Sequence, residues 1–336
     1  MTKLKELIDR IKDKALQGKA AILSKRTTLS LLRATSHDSF TPPNHKYINT
    51  LLSSGDGSRA TASSFIELLM DRLQTTQNSA VALKCLIAVH HIIKHGTFIL
   101  QDQLSVYPYT GGRNYLNLSN FRDKTNPISW ELSSWVRFYA HHIEQLLCTS
   151  RILGFFLGAS SSTQGKETHE ETVAGLTNAD LLREIDSLLA LVEGIGKRPN
   201  PVSTNGNKLV VEIVGLVEED GVEALREVSI RVNEFRERMG SLSFGEGVEL
   251  VYAMKRLEEC IERVMMMMMV LEVAHVQRLW DSVRELKEKA EIELYKEERK
   301  VYRTVTRHRE IDSVRINGTV LNSVGLVQFP SSSRFL

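Results

Sequence analysis

The chain has 336 residues, 42% of them hydrophobic and 25% charged, with a formal net charge of +2. That balance excludes a wholly disordered chain, and seven prolines exclude a collagenous or proline-rich one. The near-neutral total hides an asymmetry: residues 1–150 carry a net +7 and residues 151–336 a net −5, so the front half suits an anionic partner, nucleic acid or membrane.

Leu4, Leu7, Ile8, Ile11 and Ala15 recur at helical spacing, and the first 33 residues hold nine Lys and Arg against three Asp and Glu. Such a helix either lies on an anionic membrane or packs inward with a basic outer face; the two are compatible. A second helical segment spans 20–34, and Pro42-Pro43 mark a loop over 37–44. Helical patterns follow at 45–52, 60–74 and 78–94, the last almost wholly apolar and ended by Gly96. Segments 98–106 and 114–121 are short, and a long helix runs from 130 to 157. The Ser/Thr/Gly/Glu composition of 158–171 reads as a linker. Helices follow at 176–195, 209–239 and 247–299, and a flexible tail from about 304.

The fold class is therefore all-α: a helical solenoid followed by a long-helix bundle. The expected division is 1–157 for the solenoid, 158–175 for a linker, 176–303 for the bundle and 304–336 for the tail. Cys85, Cys148 and Cys260 form no CxxC pair and sit in apolar helical contexts, which suits buried thiols in a reducing compartment. The N-terminus has no apolar signal core, and the longest apolar run, around Val264–Leu271, falls far short of the ~20 residues that span a bilayer.

Candidate chemistry is sparse. Gly55–Ala60 formally matches a dinucleotide fingerprint but follows a helix end where a strand is needed. Gly158 and Gly165-Lys166 have the wrong spacing for a phosphate loop, and Glu167 stands where Ser or Thr is required. His91 and His95 are spaced like a helical metal pair, yet no third ligand is marked, and they read as partly buried or surface histidines, as do His141-His142. Met265–Met269 fill an irregular core or offer an adaptable docking surface. Asp180-Leu181-Leu182 resembles peptides that clathrin reads, but its leucines continue a packed helix face. No nucleophile–base pair stands out, so the reading is a non-enzyme with no cofactor and no metal.

Arg33-Ala34-Thr35-Ser36-His37-Asp38, then Pro43-Asn44-His45-Lys46-Tyr47, resembles the phosphoinositide motif of the ANTH family, the N-terminal homology domains of endocytic clathrin assembly proteins. Ala82–His90 is similar to that family's buried helix, Leu116–Asp123 to its Leu-Ser-Asn-Phe-x-Asp signature, and Ser129–Tyr139 to the helix that follows, in its plant form especially. The match is strong over 20–157 and diffuse over 176–300. The resemblance implies a right-handed ENTH/ANTH-like solenoid and an adaptor that binds phosphatidylinositol 4,5-bisphosphate. It implies clathrin and adaptor proteins as partners and, as in some relatives, a vesicle SNARE as cargo, in coated pits and vesicles at the plasma membrane and at the Golgi. The implied headgroup ligands are Arg33, His45, Lys46 and Tyr47, with Lys25 and Arg26 as additional cations.

The chemistry of that motif is intelligible. A bisphosphorylated ring is a compact anion, and a helix end plus the next loop can bring Arg33 and Lys46 together for charge-assisted hydrogen bonds. Two features depart from the family. Asn44 stands where a first lysine is expected, and the spacer from Thr35 to Pro43 is one residue longer than the common form. Binding weaker or less selective than in a full-motif relative is expected. No Asp-Pro-Phe or Asn-Pro-Phe occurs, so clathrin engagement rests on kinship alone. A helical repeat binding nucleic acid is the alternative, but no aromatic stacking platform accompanies the basic charge.

Overall fold

A computed structural model describes residues 25–108, 111, 114–159, 166–199, 206–265, 278–296 and 299. The basic stretch before residue 25, most of the methionine run and the tail from 304 lie outside them. Among the described residues the secondary structure is α-helix with two short 3-10 turns. The helices are α1 (Lys25–Ala34), α2 (His45–Leu52), α3 (Arg59–Thr75), α4 (Ser79–His95), α5 (Phe98–Ser105), α6 (Pro127–Leu153), α7 (Lys166–Ala174), α8 (Asn178–Ile195), α9 (Lys208–Arg238) and α10 (Phe244–Met265). A further helical stretch covers 278–296.

Start signals written in the sequence set these boundaries. Asn44, Ser58, Asn78, Asn126, Thr177 and Asn207 each accept a backbone N–H from the first turn of the helix that follows, satisfying a donor the helix cannot satisfy itself. Pro127 sits in the first turn of α6, where its missing N–H costs nothing. Gly154 closes α6 at φ 79°, a left-handed position that disfavours side chains.

The stacking order follows the chain. α1 packs on α2, α2 and α3 on α4, α4 on α6, α6 on α8, and α8 on both α9 and α10. This is a solenoid whose later helices lengthen into a bundle. α4 is its axis, buried from Ser79 to Lys94, which explains why its sequence is apolar on every side. Asp123, in the stretch before α6, holds the start of α4: its Oδ2 accepts from Ser79 N (3.0 Å), and its own N–H donates to Ser133 Oγ (2.8 Å).

Within the expected linker, Lys166–Ala174 is helical. Val173 is buried there, and His169 Nε2 lies 3.0 Å from Glu227 Oε2 of α9. Met1–Ala290 form one compact unit and Glu291–Leu336 another; the described part of the second, 291–296 and 299, is helical.

Polar clusters pin the layers of the first unit together. Asp220 of α9 is fully buried and accepts from Lys94 Nζ (2.6 Å), His142 Nε2 (2.7 Å) and His90 Nε2 (3.3 Å). Tyr139 Oη lies 2.9 Å from the other nitrogen of His90. Burial pushes the Asp220 carboxyl up, but the charges and hydrogen bonds of His90 and His142 outweigh it and hold it well below the carboxylate range. A second cluster joins buried Arg231 of α9 to Glu184 of α8 (2.7 Å) and to Glu227 (2.6 Å).

Candidate functional site

The C-terminal end of α1 and the N-terminal end of α2 meet because the connecting loop is fixed from three sides. Thr35 is fully buried; its hydroxyl donates to Leu31 O (2.7 Å), closing α1. Arg72, buried on α3, donates to Thr35 Oγ1 (2.5 Å) and Thr35 O (3.0 Å). Lys84, buried in α4, donates to Ser36 Oγ (2.9 Å), and burial lowers its affinity for the proton while Asp38 partly restores it. Asp38 folds the loop on itself, accepting from Phe40 N (3.0 Å) and from the Thr41 hydroxyl; those two hydrogen bonds hold its carboxyl below the usual range. The third tie comes from the far half of the unit. Asn207 Nδ2 donates to Ser39 O (2.8 Å), and Leu209 N, in the first turn of α9, donates to Phe40 O (3.1 Å).

This scaffold leaves Arg33, His45 and Lys46 exposed and Tyr47 half-buried. The Arg33 guanidinium lies 5.8 Å from the centre of the Tyr47 ring, so residues from two helices and 14 positions apart share one surface. None of Arg33, His45 and Lys46 takes part in an ion pair among the described residues. His45 faces the buried His91 of α4 edge-on at 6.4 Å, and His91 stands 5.8 Å from His95. Burial first, and then His90, His95 and His45, hold His91 down to about 4, so it is neutral near pH 7.

The departure at Asn44 has a physical reason. Its Oδ1 accepts Lys46 N (2.9 Å) as the N-cap of α2, which a lysine cannot do. The first turn of α2 holds no acidic residue, although an acid there would suit the positive end of the helix. It holds His45 and Lys46 instead. A cation such as Lys46 on a helix N-terminus breaks a local rule for stability and concentrates positive potential where an anion would dock.

Arg26 is exposed two turns earlier on α1, and it lines a separate cleft beside Thr50 and Thr61. Lys25 begins α1, and its side chain lies outside those described. The structure therefore brings Arg33 to Tyr47, leaves His45 and Lys46 exposed in the same first turn of α2, and places Arg26 on a separate cleft. Sequence reasoning missed the supports Arg72 and Lys84. Lys84 did carry a signal, as a single charge within an apolar helix run. Arg72 carried none, since it looks like any helix-surface arginine. The leucines of Asp180-Leu181-Leu182 are buried, as core packing requires. Among the described residues no His/Cys/Asp/Glu cluster could hold a metal, and no helix is long and apolar enough to cross a membrane.

All-α stacking with cations at the joint of its first two described helices defines the class as a helical-repeat domain. Residues 27–266 match the ANTH domain family model, and the chain belongs to that family. Relatives include three Arabidopsis thaliana proteins each named "Putative clathrin assembly protein". At4g40080 is 55% identical over 79% of this chain and 74% of its own length. At5g65370 is 29% identical over 78% and 91%, and At5g10410 is 32% identical over 69% and 69%.

Proposed function

We propose that this chain is a non-enzymatic adaptor of clathrin-coat assembly that docks on the plasma membrane by binding phosphatidylinositol 4,5-bisphosphate. The observation that carries this reading is the approach of Arg33 to Tyr47 at the start of α2, with His45 and Lys46 exposed beside Tyr47 in the chain and no acidic partner for Arg33, His45 or Lys46 among the described residues. The ring phosphates would take charge-assisted hydrogen bonds from Arg33 and Lys46, with His45 and the Tyr47 hydroxyl as further donors. Leu29, 42% exposed, lies with Arg26 and Arg33 on one face of α1, where an apolar side chain between two cations suits a membrane interface. Kinship with proteins named for clathrin assembly supports the coat role and the clathrin and adaptor partners. The later helices would hold helical cargo such as a vesicle SNARE. An open cavity of about 1830 Å³, lined by Phe98, Phe155, Val222 and Ile230 among others, gives room for an apolar helix face.

Sedimentation with vesicles tests the lipid reading. Wild type should pellet with vesicles containing phosphatidylinositol 4,5-bisphosphate far more than with neutral ones, and added salt should weaken the effect. Arg33→Glu combined with Lys46→Glu should sharply reduce the difference. Equal pelleting of that variant would overturn the site assignment.

A further inference from the structure

Arg26 occupies a second, smaller cavity of about 290 Å³, built from the start of α1, the end of α2 and the start of α3. Apart from Arg26 and Gly57, its walls are hydroxyls: Thr27, Thr50, Ser53, Ser54 and Thr61. Their hydrogen bonding is uneven in an informative way. Thr50 and Ser53 have committed their protons, Thr50 Oγ1 donating to Lys46 O (2.9 Å) and Ser53 Oγ to Thr50 O (2.9 Å), so their oxygens remain as acceptors. Ser54 is the opposite case. It is 6% exposed and its Oγ has no hydrogen-bond partner among the described residues, a buried donor left unused on a cavity wall. The cavity also meets the N-terminus of the 17-residue α3, where the Thr61 N–H is capped by Ser58 Oγ (3.2 Å). Of that first turn only Thr61 lines the cavity, and its hydroxyl lies 3.0 Å from Ser58 Oγ.

We propose that this cavity is a second subsite for a phosphorylated inositol headgroup. A phosphate would meet Arg26 and the Ser54 hydroxyl, while ring hydroxyls would donate to the Thr50 and Ser53 oxygens. The mixed donor and acceptor lining distinguishes a phosphorylated polyol from bare phosphate, which is chiefly an acceptor. Arg26 and Arg33 are seven residues apart on one exposed face of α1, about 10 Å along its axis, so one membrane surface can fill both subsites. This membrane setting rests on the function proposed above, but the ligand chemistry of the cavity does not. Two tethered headgroup sites would raise apparent affinity on a lipid surface beyond that of either, which offsets the lysine missing at position 44.

The test titrates the full chain with inositol 1,4,5-trisphosphate by calorimetry. Wild type is expected to take up two equivalents. Arg33→Gln with Lys46→Gln should leave one, and adding Arg26→Gln and Ser54→Ala should weaken that one by at least about tenfold, the effect of losing a charge-assisted hydrogen bond. Thermal melts establish that each variant is folded, and Thr61→Val serves if Ser54→Ala is not. The proposal is overturned if the Arg26 and Ser54 changes leave all binding intact. It is also overturned if inorganic phosphate displaces the second equivalent as effectively as the trisphosphate. Vesicle sedimentation separates the two proposals. A motif double variant that still pellets like wild type sinks the first site, while uptake at the second is read independently from the calorimetric loss on changing Arg26 and Ser54.

Discussion

Lys94 and Lys46 belong to neighbouring layers of the same unit and live by opposite rules. Lys94 is buried against Asp220 at 2.6 Å, within a cluster that also takes in His90 and His142. Lys46 stands in solvent beside Arg33 and His45 with no carboxylate paired to it among the described residues. Within the buried cluster the cation meets its opposite, because an unmatched buried ion costs several kcal/mol. On the face formed by α1 and α2, charge is left unmatched, and water and salt screen it. Residue type does not separate architecture from recognition in this molecule; pairing does.

Removing Asp220 should break the interior rule most severely. Asp220→Ala removes the carboxylate shared by Lys94, His90 and His142 in the core, and urea denaturation should show a loss of about 3–5 kcal/mol. Acid attacks the same interior more gradually. The folded-state value of His91, about 4, lies below its ordinary 6.5, so the unfolded chain takes up this proton first as pH falls. The stability tied to His91 is whole above about pH 6.5 and drains away toward pH 4, by at most about 3 kcal/mol; His91→Gln should flatten that part of a melting-temperature profile. Asn44→Lys sits on the border of the two rules. It removes the cap of α2 and should cost about 1 kcal/mol in denaturation, while phosphoinositide vesicles should retain the variant better than wild type. The smallest stability effect belongs to the open face. Arg33→Glu with Lys46→Glu, which should weaken lipid binding sharply, should move unfolding free energy by no more than about 0.5 kcal/mol. A large destabilisation would mean those charges serve the fold.

Much of this was legible in the sequence where the information is local. Apolar periodicity located most helices, while the Ser, Asn and Thr caps that begin them came to light with the backbone. The exception was α7. Lys-Glu-Thr-His-Glu-Glu-Thr-Val-Ala has no apolar stripe, and its packing rests on Val173 and on the pairing of His169 with a glutamate 58 residues away. The candidate site divides in the same manner. Arg33, Lys46 and Tyr47 could be read from a motif. The grip of Arg72 on Thr35, 37 residues distant, and of Lys84 on Ser36, 48 residues distant, depends on which helices stack, and no short window records that. Asn44 was legible as a lost cation and not as a gained cap, because a cap is defined by the backbone that it closes.

The tie between the α1–α2 loop and the start of α9 bears on how this protein can be dissected. Composition invites a cut in the polar stretch near residue 165, yielding a tidy fragment that contains every residue of the headgroup motif. That fragment would lack Asn207 and Leu209, and with them the hydrogen bonds that hold Ser39 and Phe40 in place. Its motif would be complete in sequence and loose in shape. The shortest piece that preserves the loop's geometry must run past residue 209, so the boundary of the proposed binding unit is set by a contact 168 residues downstream of the loop it holds.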